Sequence, residues 1–174
     1  MKTILFSLFL LCLLLSSAAL HAQKIDCKTE KDPITGATTY KSIPARSAGF
    51  KLEAKEGENI QCFWPINYRG QQHVAFKKGA EFIFKLENGE IVTLKTINEP
   101  KPQTLVGSYQ VVSKYDFVLE MTKEQVAKLA SSPIVFSRTP TPTGEQRDDK
   151  ELWQNKRLQK IYMKTFECMQ GHLQ

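Results

Sequence analysis

The stretch Lys77–Asn98, KKGAEFIFKLENGEIVTLKTIN, constrains the fold more than any other part of this chain. Asn88-Gly89 lies between two runs rich in β-branched and aromatic residues, the strongest short-range signal for a β-hairpin. A two-residue turn would set Leu86 opposite Ile91, Phe84 opposite Thr93 and Phe82 opposite Lys95, mixing apolar and polar partners on one face. A three-residue loop, Glu87-Asn88-Gly89 with Gly89 left-handed as a bulge, sets Leu86 opposite Glu90, Phe84 opposite Val92 and Phe82 opposite Leu94. The second register gathers Phe82, Phe84, Val92 and Leu94 on one face, and a slip of one residue would undo it. That register is the one expected, and the hairpin it builds carries core rather than chemistry.

Ahead of the hairpin, the chain opens Met1-Lys2-Thr3 and runs through ILFSLFLLCLLLSSAAL to His21-Ala22-Gln23. One early positive charge, an apolar stretch and small residues around Ala22 have the form of a secretory signal peptide over residues 1–22, cleaved after Ala22. The run is short for an uncleaved membrane anchor and no charged stop-transfer segment follows it. Cys12 lacks the preceding small residues of a lipid-modified cysteine. The remaining residues, 23–174, suit a single domain with a real core and contain no second apolar segment long enough to span a membrane.

The full chain carries 24 basic and 18 acidic residues; loss of Lys2 with the leader leaves a mildly basic protein. That balance is far from the dense, clustered charge of a nucleic-acid binder, and export argues against nucleic acid as well. Cys27, Cys62 and Cys168 survive cleavage. Outside the cytoplasm one disulfide is expected, with one thiol left over or paired between chains, and the spacing does not choose among the pairings; three buried thiols would satisfy the sequence equally. No pair has metal-ligand spacing, and no cofactor is indicated.

Residues 24–76 read as short strands broken by turns. Lys24–Thr29 and Ala37–Ile43 pair around the Asp32-Pro33-Ile34-Thr35-Gly36 turn. Gly49–Lys55 alternates Phe50, Leu52 and Ala54 with charged residues, so one face is buried. Ile60–Trp64 is a strand, Pro65–Gln72 a loop, and His73–Lys77 a brief strand. After the hairpin, Leu105–Met121 is long enough for two strands or one bent strand. Thr122-Lys123-Glu124-Gln125 forms a capping box for a short helix, about 123–130, with Val126, Leu129 and Ala130 inward. Ile134–Arg138 is another strand, Thr139–Gly144 an extended connection, and a long helix from about 145 to 169 closes the chain. Its apolar stripe runs from Trp153 or Leu152 through Leu158, Ile161, Tyr162, Thr165 and Phe166 to Met169.

Catalytic sets are thin. His73 and His172 are the only histidines after the leader, so a serine or cysteine hydrolase would need one of them beside a nucleophile and a carboxylate. Cys168 and His172 stand four apart on a helix but lack further ligands. Asp148-Asp149 is explained by a favourable position at a helix start. Two features offer binding surfaces instead. Phe63-Trp64-Pro65 with Tyr68 and Arg69 would make a stacking platform if exposed, and core if buried. Lys156, Lys160 and Lys164, with Arg157, form a basic stripe that could meet anionic headgroups, or simply face water.

The leader ending His21-Ala22-Gln23, the Lys31–Gly36 turn, the run Leu86–Leu94, and Met121–Leu129 ahead of a Pro-Ile strand together resemble small exported proteins of Bacteroidota-type Gram-negative bacteria. The likeness covers mainly Lys77–Arg138. It implies a compartment, the periplasm or the cell exterior, and transfers no activity or functional residue. The sequence therefore predicts one α+β domain, an antiparallel sheet of six to nine short strands carrying a short and a long helix. Its expected role is an exported, non-catalytic module that binds an envelope component or a partner protein. A structural or assembly subunit and a small secreted hydrolase are the alternatives, and the oligomeric state is left open.

Overall fold

The computed structural model describes residues 25–43 and 49–173; the predicted leader, residues 1–22, lies outside the described residues. Strands β1 (Asp26–Lys31), β2 (Thr38–Ile43), β3 (Lys51–Lys55), β4 (Ile60–Arg69), β5 (Glu81–Leu86), β6 (Ile91–Thr96), β7 (Gln103–Val106) and β8 (Val111–Met121) precede helix α1 (Lys123–Ser131). Strands β9 (Ile134–Pro140) and β10 (Gln146–Asp149), a 3-10 turn at Leu152–Gln154 and helix α2 (Lys156–His172) complete the chain. The α+β expectation holds, with ten strands in one antiparallel sheet ordered β1-β2-β3-β4-β8-β6-β5-β9-β10, and β7 added alongside β8.

The central hairpin adopts the three-residue loop. Phe82 faces Leu94 and Phe84 faces Val92, Leu86 N–H donates to Glu90 O at 2.9 Å, and Gly89 takes φ +91°. Phe82, Phe84, Val92 and Leu94 are all buried, whereas Ile91 on the other face is exposed. The capping box forms as the sequence predicts, with Thr122 Oγ1 accepting from Gln125 N and Gln125 Oε1 accepting from Thr122 N. Val126, Leu129 and Ala130 turn inward, and β9 returns antiparallel to β5.

Several boundaries depart from expectation, each for a physical reason. β4 runs unbroken through Pro65 to Arg69 instead of ending at Trp64. The bond from Gly70 N to Val111 O makes the even-numbered residues of β4 the ones that bond to β8. Pro65 therefore turns its nitrogen to the other edge, where pairing with β3 has stopped at Phe63, and its missing donor costs nothing. His73–Lys77 forms no strand. The expected start of the last helix is replaced by β10, which turns back from β9 through Thr141–Glu145. Asp148 accordingly caps no helix; it forms a two-point ion pair with Arg138 on β9, at 2.6 and 2.9 Å. The helix proper begins at Lys156 behind an Asn155 cap and reaches His172.

The core is aromatic. Trp64 stacks on Phe50 and on Phe84, each at 5.3 Å between ring centroids. Tyr162 of α2 lies 4.5 Å from Phe50 and meets Trp153 edge-on at 4.9 Å. Helix α2 touches β1 and β2 at one side of the sheet and β9 at the other, so the sheet bows around it. Gln159, buried on α2, donates to the carbonyls of Ile134 and Trp153. Cys27 of β1 and Cys168 of α2 are joined in a disulfide, with Cα atoms 6.0 Å apart, and Cys62 is a buried thiol.

Candidate functional site

The aromatic platform does not form. Trp64 and Tyr68 are 9% and 8% exposed, because even-numbered residues of β4 face the core. Tyr68 donates its hydroxyl to Pro140 O at 2.6 Å, and Arg147 lies over its ring at 5.4 Å. Burial pushes the Tyr68 hydroxyl up to about 12. Arg69, the next residue, points to water. The lysine stripe lies on the opposite side of α2 from the stripe that meets this core. Lys156 and Lys160 are exposed, Lys164 is half-buried, and Lys156 approaches Glu87 at 3.9 Å. The two candidate surfaces do not converge.

The residues considered for chemistry are similarly committed. Ser113, the hydroxyl nearest in sequence pairing to the His73 segment, accepts from Gln72 N and donates to Gly70 O. Desolvation raises the pKa of the Cys62 thiol and keeps it protonated. Cys168 is spent in the disulfide, so the Cys168–His172 spacing holds no metal. Among the described residues no cluster of three or more His, Cys, Asp or Glu side chains converges.

A different site appears where four elements end together. The β3–β4 turn, the last residue of β8, the first residue of α1 and the last turn of α2 surround a cleft of about 450 Å³. Tyr40 and His172 form its aromatic wall, stacked at 5.4 Å and 25°. Lys55, Glu56, Glu58 and Asn59 line the turn side, with Ile60 and Met121 beneath. Local chemistry fixes these groups. Glu58 N–H closes the turn on Lys55 O, and Lys55 pairs with Glu58 at 3.7 Å. Asn59 donates to Glu120 at 2.8 Å. Lys123 donates to Leu173 O at 2.8 Å, placing its charge at the carbonyl end of α2.

The two lysines and two glutamates of the lining balance, so the cleft carries mixed charge beside a π surface. Its volume falls in the range of about 300–1,000 Å³ usual for small-ligand sites. Such a lining can offer stacking and several hydrogen bonds to a neutral or zwitterionic polar ligand. Sequence reasoning missed it because residues 40, 55–60, 121, 123 and 172 share no local pattern. The only available hints were the turn at Glu56–Asn59 and the capping box, which places Lys123 at the helix start. His172, expected at a frayed end, is ordered on Tyr40.

Comparison of the chain with protein-family models, with curated proteins and with solved structures yields no match. Among the described residues no helix is long and apolar enough to cross a membrane.

Proposed function

We propose that this chain is an exported, non-catalytic module that binds an envelope component or a partner protein through the cleft at Tyr40 and His172. The cleft carries the reading. Its ring pair, its balanced charges and its volume suit a glycan or a short peptide better than an apolar or strongly anionic ligand. The leader pattern of residues 1–22 and a disulfide between distant elements both accord with an oxidising compartment outside the cytoplasm.

The test is thermal unfolding of residues 23–174, which hold every described element, against divalent metals, glycans, lipopolysaccharide and peptidoglycan fragments. A ligand at about a hundred times its dissociation constant adds about 2.7 kcal/mol, roughly 5–10 °C for a domain of this size. Tyr40→Ala and His172→Ala should abolish the shift while leaving the unliganded midpoint nearly in place. A flat panel would rule out the small-ligand form and leave a protein partner to be sought. Mass spectrometry of the exported protein checks the compartment: the expected species begins at Gln23.

A further inference from the structure

At the end of the sheet defined by the β7–β8 turn, the chain exposes apolar side chains that no packing explains. Strands β7 and β8 pair from Gln103–Lys114 to Val106–Val111, and Gly107 N–H closes the two-residue turn Ser108-Tyr109 on Gln110 O at 2.9 Å. That bond is the last cross-strand contact before the tip. Tyr109 is 101% exposed, Val106 79%, Leu105 50% and Val111 36%. By the alternation of strand side chains, Val106 and Val111 share one face, while Leu105 shares the other with half-buried Val112.

We propose that this hairpin is a peripheral membrane anchor whose tip enters the headgroup region of an anionic lipid surface. A partner groove would cover one face of such a ribbon; apolar residues on both faces and at the tip fit immersion. From Leu105 to the turn the hairpin reaches about 10 Å at about 3.3 Å per residue, matching the depth of about 5–10 Å that interfacial elements occupy. The turn residues Ser108 and Tyr109 carry no charge, so entering the interface buries no ion at the tip. Tyrosine suits that level because its ring is apolar and its hydroxyl polar.

Behind the tip the charge is positive. Arg69 stands opposite Val112 in register and Lys101 lies just before β7; both are exposed and neither forms an ion pair among the described residues. Lys77 and Lys78 follow further back. No acid occurs in residues 67–78 or 101–114, and Asp149, whose charge is felt at neighbouring Tyr68, is paired with Arg147 at 2.8 Å. The next acid along β8, Asp116, is neutralised by Lys114 at 2.8 Å. An apolar tip with a basic rim is complementary to anionic headgroups over water and hydrocarbon.

This surface is separate from the cleft, so its failure leaves the cleft reading intact, and the ligand panel tests that reading alone. The experiment is co-sedimentation of residues 23–174 with vesicles of phosphatidylethanolamine and phosphatidylglycerol, compared with phosphatidylcholine vesicles. The protein should sediment with the anionic vesicles and much less with the zwitterionic ones. Because both side chains are exposed, the double variant Val106→Asp/Tyr109→Asp should keep its unfolding midpoint yet lose binding on the order of tenfold or more. Arg69→Glu should weaken binding to the anionic vesicles only. Absence of sedimentation, equal binding to both vesicle types, or full binding by the double variant would each overturn the proposal. A wild-type dimer that the double variant abolishes, without vesicle binding, would assign the surface to a second copy instead.

Discussion

Trp153 joins three pieces of the molecule through its side chain and its backbone carbonyl. It is 1% exposed, its indole N–H donates to Ser137 Oγ on β9 at 2.8 Å, and its carbonyl accepts from Gln159 at 2.6 Å. Trp153→Ala should therefore lower stability by about 3–5 kcal/mol, measured by urea unfolding, whereas exposed Leu152→Ala should change it little. Tyr68 supplies a pH test at the same scale. Its folded pKa, raised to about 12 by burial, exceeds the ordinary value near 10. The folded state then holds the proton longer than the unfolded chain. The corresponding stability is complete below about pH 10 and is lost as pH rises through about 12. Ultraviolet titration of tyrosinate should show this late ionisation, and Tyr68→Phe should remove one group from it, since burial raises Tyr115 and Tyr162 as well.

Among the elements, the central hairpin shows where a sequence speaks plainly. Gly89 occupies φ +91°, a region in which a Cβ costs about 1–2 kcal/mol. Gly89→Ala should destabilise by about that amount in chemical unfolding even though no neighbour lies within 4 Å of the added carbon. Turn chemistry and alternation agree there, as do the hydroxyl and amide of the capping box at Thr122 and Gln125, and so both were legible. Strand β10 was not. Gln146-Arg147-Asp148-Asp149 contains no apolar residue, so it has no strand period, and its acids mimic a helix start. It is a strand because β9 offers an edge and Arg138 offers Asp148 a partner. Arg138 holds the Asp148 carboxyl below the usual range. Pro65 misled in the same way, since only the neighbouring strands reveal which edge of β4 needs donors.

At the scale of the whole molecule, the least legible features are those that join residues far apart in the chain. The cleft draws on positions 40 to 173, and the disulfide spans 141 residues; neither leaves a local trace. The bond closes a loop long enough that removing it should cost about 2–5 kcal/mol. Unfolding with and without a reductant should show a drop of that size, and Cys27→Ser/Cys168→Ser should start from the lowered value and not respond. Cys62 should stay unlabelled by thiol reagents until the fold opens, because it is wholly buried.

That bond also decides how the protein bears tension. Cys27 lies in the first strand of the sheet and Cys168 in the final helix. A pull applied outside these two residues runs from one to the other through sulfur, and the nine strands between them, β2 to β10, are bypassed. Stretched in a single-molecule experiment, the oxidised protein should lengthen only by its short tails, and the sheet should unravel only after reduction. For a protein that meets a surface through one hairpin, drag on its two ends would leave that hairpin's shape untouched.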